Sequence, residues 1–558
     1  MIKKIYLSSI FSFAVAGLLA QETPNLNQEI VTVGERELKL KDAFKANFYP
    51  TEVDTVIKKE NLTYDFLPGF VKTSFNPDTI QAAKLKVVEP LSKLYPGYVK
   101  LGFGNYTMPY AEAYYGSNRN RNGMFAVKLS HISSKGNEAD VDKFAGPFSK
   151  STGAFWVKRF LKSSAFSAKV YGGYEGRTLA VNPEADDVNP APITLVPERN
   201  FLNAGTQIAF QSYKKDQDAL NHHEKLDFDF FADNSTAADG FTATEINVSA
   251  STRLEKYYNK EIYKVDFGVE QNLYSQKDSA YKQSNTLINL APTISTRTDL
   301  VQVDLGLGIF SFFDNGRSYF YFVPKASAAY TGFEKYAVPY AGLDGDAQIN
   351  RFADLMNQNP FYGPVEDLRL KRENLHVYLG IRGRISDKSS YNLKVYRSRK
   401  IDQSIYLPNA GTIRSFEVAY QSYNHFGALA EYSLAFAKRF EGNVAFQYHK
   451  YSIDQLLNLP EYEINTELKY NLGDKLLLKT GAHIVPQRLN TTTLDEDGDR
   501  IQSNLGSIVD VNFGAEYRYT RRLAAFINFS NISNNRYLLY PNYAVLGFNV
   551  MGGLNYSF

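Results

Sequence analysis

Residues 547–558 read GFNVMGGLNYSF, and the way this stretch is read decides the fold. Side chains of an extended chain point to alternate faces. Phe548, Val550, Leu554, Tyr556 and Phe558 therefore share one face, and Asn549, Gly553, Asn555 and Ser557 share the other. One face is greasy and aromatic, and its opposite is small and polar. A single strand of this kind could line the core of a soluble sheet, so the rest of the chain has to choose the partner of the apolar face.

The alternation recurs along the chain. VQVDLGLGIF (301–310) sets Val301, Val303, Leu305, Leu307 and Ile309 against Gln302, Asp304, Gly306 and Gly308. YKVDFGVE (263–270) and LHVYLGIRGRI (375–385) repeat the scheme, as do KLDFDF (225–230) and LAAFINF (523–529). Segments of about ten residues with apolar and polar faces, punctuated by turn residues, are the mark of a transmembrane barrel that turns its apolar side to lipid and its polar side to a lumen.

Composition supports this. Lys3 and Lys4 precede an apolar run, Ile5 to Ala20, that ends in small residues, and the expectation is a secretory signal peptide cleaved after Ala20. With no Cys in the chain, a lipid anchor on cysteine, disulfides and thiolate metal sites are excluded. The 40 Tyr and 39 Phe suit aromatic girdles at two membrane interfaces. A net charge of +3 without a clustered basic stripe argues against nucleic acid as a partner. After residue 20 no apolar run is long enough for a membrane helix, and a closed sheet is the other way to cross a bilayer with every backbone group paired.

The fold class expected is thus all-β, a transmembrane antiparallel barrel occupying 97–558, preceded by a Pro-containing segment at 21–96. Long connections are expected at 134–152, 176–199, 349–373, 398–412, 489–503 and 531–541, and short ones at 162–164, 473–474 and 520–522. Reading 413–439 as one long strand keeps every long connection on the same side. The count then comes to about 22, within roughly 18 to 24, with both ends of the barrel in the periplasm.

The closing text, FINFSNISNNRYLLYPNYAVLGFNVMGGLNYSF (526–558), resembles the end of TonB-dependent receptor barrels, with its Asn-rich run, Arg536-Tyr537 pair and terminal Phe. The stretch YVKLGFGNYTMPYAEAYYGSNRNRNGMFAVKLSHISSKG (98–136) is similar to the first strands of such receptors in the Bacteroidetes. The resemblance covers 97–558. It implies that Phe548, Val550, Leu554, Tyr556 and Phe558 act as the signal read by the barrel-assembly machinery. EIVTVGERELKLKDAF (29–44) is similar to the opening of a receptor plug, but residues 21–96, with six prolines, fall well short of a full one. The plug is expected to be missing or reduced.

A barrel this wide is normally plugged. Residues 21–96, an inward-folded loop such as 349–373, or another protein must fill it. Lumen-lining candidates are Asp227, Asp229, Lys264, Asp266, Glu270, Asp304, Arg382 and Arg384, which could bind a polar solute, hold an internal segment, or simply pair across strands on a wet wall. DEDGD (495–499) reads as a solvated turn, because the twelfth position of a calcium loop would be Gly506 rather than Glu. The seven His are scattered, with His222 and His223 placed in a polar connection, and no nucleophile elbow, HExxH or phosphate loop is present. No catalysis, cofactor or metal is expected. Solute passage or ligand binding across the outer membrane of a Gram-negative cell is the leading function. The competing one is a structural subunit of an outer-membrane complex for secretion, barrel assembly or surface-lipoprotein handling. The partners expected are membrane lipid, the assembly machinery, and other outer-membrane proteins or surface lipoproteins.

Overall fold

The computed structural model describes residues 95–558 apart from 118–119, 137–143, 182–193, 215–218, 235–241, 278–280, 334–335, 364, 366, 410–411, 437–438, 454–458, 489–490 and 495–499. The signal peptide, most of segment 21–96 and the DEDGD turn lie outside the described residues.

The strands run in chain order as β1 (Gly97–Gly104), β2 (Met108–Gly116), β3 (Gly123–Ser134), β4 (Phe148–Phe160), β5 (Ser164–Val181), β6 (Thr194–Ser212), β7 (Asn221–Asp233), β8 (Ala243–Tyr258) and β9 (Glu261–Gln276). They continue as β10 (Lys282–Arg297), β11 (Val301–Asp314), β12 (Arg317–Tyr330), β13 (Val338–Ile349), β14 (Leu370–Ser386), β15 (Ser389–Asn409), β16 (Thr412–Phe436), β17 (Phe440–Tyr451), β18 (Tyr462–Leu472) and β19 (Leu476–Val485). Beyond these come β20 (Thr491–Leu494), β21 (Arg500–Ser503), β22 (Ile508–Arg518), β23 (Leu523–Ser530), β24 (Leu538–Tyr540), β25 (Tyr543–Ala544) and β26 (Asn549–Ser557).

Twenty-two of these form one sheet. Each pairs antiparallel with the barrel strand before and after it, and β1 pairs with β26 from Tyr98↔Ser557 to Gly104↔Met551, which closes the ring. The Gly97 N–H donates to the Phe558 carbonyl at 3.3 Å and the Phe558 N–H to the Gly97 carbonyl at 2.9 Å, so the last residue completes the seam. Gly97 is required there, because a Cβ would lie 2.7 Å from the Phe558 ring. The short hairpins β20–β21 and β24–β25 stand apart from the sheet.

The outer face carries the apolar set read from the alternation. Phe103 is 61% exposed, Phe322 67% and Leu379 60%. Phe548, Leu554, Tyr556 and Phe558 are exposed with them, Val550 is half-buried on the same face, and Met551 and Asn555 on the other face are buried. Each large apolar side chain forgoes about 1.5–3 kcal/mol by facing water rather than hydrocarbon, so a belt of them calls for a lipid surround. No described helix is long and apolar enough to cross a membrane.

Residues 412–436 do form a single strand, which yields the 22 strands expected. The connection expected at 398–412 does not exist as a loop, because β15 runs to Asn409 and β16 starts at Thr412. The run SRKIDQS misled because strands that rise above the bilayer are wet on both faces and have no reason to alternate. His222 and His223 likewise lie inside β7 rather than in a connection, where their polar neighbours hid a strand end.

Candidate gate and luminal site

The segment between β13 and β14 folds into the lumen and is held there by the wall. Its neck is closed by Asn350, whose N–H donates to the Arg369 carbonyl at 2.9 Å and whose amide donates to the Asp402 carbonyl at 3.1 Å. A helix, Phe352–Gln358, follows. The first N–H groups of a helix have no internal partner. Glu245 of β8 supplies one, accepting from Phe352 at 2.7 Å and Ala353 at 2.9 Å, while Asn272 of β9 donates to the same carboxylate at 2.9 Å. Glu245 is 2% exposed, so its two carboxyl oxygens are satisfied by these donors rather than by water.

Arg351, at the start of the helix, binds Asp354 at 3.0 Å and Asp229 of β7 at 3.3 Å. Burial by itself would lower its pKa, but the hydrogen-bonded Asp354 carboxylate, with Glu245 and Glu270 nearby, holds it above the ordinary guanidinium value. Arg199 of β6 forms a buried ion pair with Asp233 at 2.6 Å and donates to the carbonyls of Pro360, at 3.0 Å, and Tyr362. Further along, Gln276 donates to the Val365 carbonyl at 2.5 Å, Tyr420 to that of Asp367 at 2.6 Å and Asn285 to that of Leu368 at 2.6 Å. The Gln283 side-chain oxygen accepts from the Leu368 N–H at 2.7 Å. Irregular backbone can be buried only where its polar groups find such partners.

The apolar side of the segment, Phe352, Leu355, Met356, Tyr362, Val365 and Leu368, packs with Phe201, Phe231, Tyr274, Tyr406 and Phe416 of the wall. Phe144 and Tyr543, from two other long connections, join the same cluster. The expectation that a loop at 349–373 fills part of the lumen thus matches the geometry. Sequence reading missed the anchors themselves. Arg199 fell inside an expected loop, and Glu245, Gln276, Gln283 and Asn285 look like ordinary polar positions of alternating strands.

The candidate residues separate into two groups. Asp229 reaches the internal segment through Arg351. Most of the others pair across the wall: Asp227 with Gln207 at 2.8 Å, Asp266 with Arg253 at 2.5 Å, Glu270 with Asn247 at 2.8 Å and Asp304 with Ser327 at 2.9 Å. Lys264 stands between Glu255 and Thr293 in the register.

Arg382 and Arg384 line a cavity of about 980 Å³ near the short-turn ends of β13–β18, with Asn392, Glu431 and Glu467. There the Arg382 guanidinium lies 5.2 Å from the Tyr340 ring centroid, and Asn392 donates to Glu431 at 2.7 Å. The cavity presents both charge signs to a polar solute.

Four His that are scattered in sequence fall on one stretch of the wall. His425 and His449 are 3.1 Å apart, His376 meets Asp344 at 2.9 Å, and His483 meets Asn465 at 2.6 Å. Among the described residues no three metal-ligating side chains converge.

No family model and no curated protein matches the chain. Solved structures do. The FrpB iron transporter from Neisseria meningitidis (F3-3 variant) aligns over 84% of this chain and 82% of its own, with a TM-score of 0.65 and 12% identity. The ferripyoverdine receptor of the Pseudomonas aeruginosa outer membrane, bound to ferripyoverdine, aligns over 84% and 72%, with a TM-score of 0.60 and 12% identity. The ferric-catecholate import receptor Fiu from Escherichia coli K12 aligns over 84% and 82%, with a TM-score of 0.61 and 9% identity. At these identities the likeness is one of fold.

Proposed function

We propose that this chain is a non-catalytic outer-membrane barrel of the receptor type, which binds a polar solute in its lumen and passes it only when the in-folded segment 350–369 yields. The observation that carries the reading is the wall of buried polar side chains, from Arg199 to Tyr420, that meets this segment group by group. A lumen serving only as a water-filled pore has no use for such matching. The fold neighbours are named as receptors and transporters of iron compounds, which favours solute import over a purely structural subunit and over an enzyme. In this reading the long connections face outward, the short turns and both barrel ends face the periplasm, and the barrel reaches its membrane through the assembly machinery. Other outer-membrane proteins or surface lipoproteins would meet the long connections. The plug question concerns residues 21–96, and the gate proposed here rests on the barrel alone.

Planar-bilayer recording of the full mature chain tests the gate. The wild type should show little steady conductance, and a variant with 352–367 replaced by a short Gly-Ser linker should show several-fold more. Equal conductance in the two would overturn the gate. A stable large complex in mild detergent, with no conductance in either form, would turn the reading toward the structural subunit.

A further inference from the structure

The wall is drawn inward where it carries the gate. Strand β12 matches β11 over fourteen residue pairs, from Val301↔Tyr330 to Asp314↔Arg317, but matches β13 over only four, Ala326↔Leu343 to Ala329↔Tyr340. Beyond these four, β13 bulges between Asp344 and Asp346. Gly345 sits at this bend, where a Cβ would collide with the Glu373 carbonyl and Val323. Past the bulge, Ala347 and Ile349 bury, with Leu370 of β14, against Leu287, Phe310 and Phe312.

Next to this bend, over the four pairs that β12 and β13 keep, the outer surface carries a groove of about 970 Å³ spanning β11–β16. Its floor holds small outward residues, Ala326, Ala328 and Ala341, and its sides include Leu305, Leu375 and Leu379, all three exposed. An apolar hollow in a membrane-facing wall is poor for water, which would find few polar partners, and costly if empty, because its lining would lose dispersion contacts. Hydrocarbon chains satisfy it.

The long-loop end of the groove is different. Arg397 and Arg399 line it and are exposed, while Ser398 between them is 2% exposed and points into the lumen. Arg397 lies in register between Val377 of β14 and Phe426 of β16, and the next outward residue across, on β17, is Lys450. Just below are the outward Leu393 and Val395. Among the described residues neither the Arg397 nor the Arg399 side chain has a hydrogen bond or an acidic partner. Two unneutralised guanidinium groups at the edge of an apolar belt call for an anion, and the planar fork of Arg suits phosphate.

We propose that this groove is a binding site for a phosphorylated glycolipid of the lipid A type, with acyl chains on the alanine floor and a phosphate between Arg397 and Arg399. The choice of a glycolipid rests on the orientation proposed above, which sets the long-loop end in the outer leaflet. A bound lipid would brace, from outside, the strand pair that holds the gate inside.

Native mass spectrometry of the full mature chain in a neutral detergent tests the site, with lipid A, dephosphorylated lipid A, phosphatidylglycerol and inorganic phosphate as probes. One lipid A per barrel should bind about tenfold more tightly than the dephosphorylated form, the difference a charge-assisted contact supplies. The double variant R397Q/R399Q should lose that preference while keeping its heat-modifiable mobility. Ala341→Trp, which fills the floor, should weaken both forms. Equal lipid A binding by wild type and R397Q/R399Q would overturn the site. Tighter binding of phosphatidylglycerol than of lipid A would overturn the glycolipid. Displacement of lipid A by millimolar inorganic phosphate would reduce the site to a free-anion site and overturn the lipid. A dimer abolished by Ala341→Trp would assign the groove to a second copy instead. Orientation is read separately by surface labelling, so its failure is distinguishable from failure of lipid binding.

Discussion

Arg199 and Glu245 show how single side chains commit a loop to the inside of a barrel. Arg199 neutralises Asp233, which is fully buried, and in the same fork holds two carbonyls of the gate. Arg199→Ala would take the guanidinium away from the buried Asp233 carboxylate, at a local cost of about 3–5 kcal/mol. The strands themselves are unaffected, so heat-modifiable mobility should persist while steady conductance rises in the bilayer. Glu245→Gln keeps the shape but offers one acceptor oxygen where two N–H groups need one each, and should cost about 1–2 kcal/mol. Its conductance should fall between those of wild type and Arg199→Ala. The reverse order would show that the helix cap, not the ion pair, holds the gate. Neither role is visible in the local sequence, because an Arg or Glu on the wet face of a strand reads the same whether it meets water or a loop.

Among the elements, the closing pair β1–β26 is the most legible in sequence and β13 the least. The alternation of 547–558 foretells which side chains of β26 face lipid. The reciprocal Gly97–Phe558 bonds and the stacking of Phe558 on Tyr115, with centroids 6.4 Å apart, give the last residue a structural role in the seam. Deleting Phe558 should lower the yield of heat-modifiable barrel in the membrane fraction. Gly97→Leu, which sets a side chain where the Phe558 ring lies, should do the same. Normal yields from both would remove the terminal residue from assembly. Strand β13 alternates respectably, yet beyond Leu343 it parts from β12 while staying paired with β14 to Ile349, because the far partners Leu287, Phe310 and Phe312 offer its end a better burial than the rim does. A dyad repeat reports which face is apolar and is silent on which apolar surface it meets.

At the scale of the molecule, long connections after odd-numbered strands and short turns after even ones give the barrel two unlike ends. Three connections at the long-loop end are short as well, β1 to β2, β15 to β16 and the two-residue Asn315–Gly316 turn, where a left-handed pair with φ of 41° and 88° closes β11 onto β12. The absence of native Cys makes the orientation directly testable. On intact cells a membrane-impermeant maleimide should label Asn315→Cys and spare Lys475→Cys, which lies in the short turn between β18 and β19. The opposite labelling would invert the barrel and remove the outer leaflet from the lipid proposal. Neutralising Arg382 and Arg384 together should weaken retention of an anionic solute in the lumen while leaving the gate closed, measured as solute-dependent block of the conductance seen in the linker variant.

The sequence by itself determined the all-β class, the strand number and the face each strand turns to lipid, because these follow from a period of two repeated over neighbouring residues and from the parity of long and short connections. It also marked the lumen as too wide to stand empty. Only the tertiary structure decided what occupies it, since Arg351 meets Asp229 across more than a hundred residues of chain and Phe144, Phe352 and Tyr543 converge from three separate connections. Such contacts are set by ring closure, which brings distant polar and aromatic groups to one rim, and a local alternation carries no record of which residues the closed ring will place face to face.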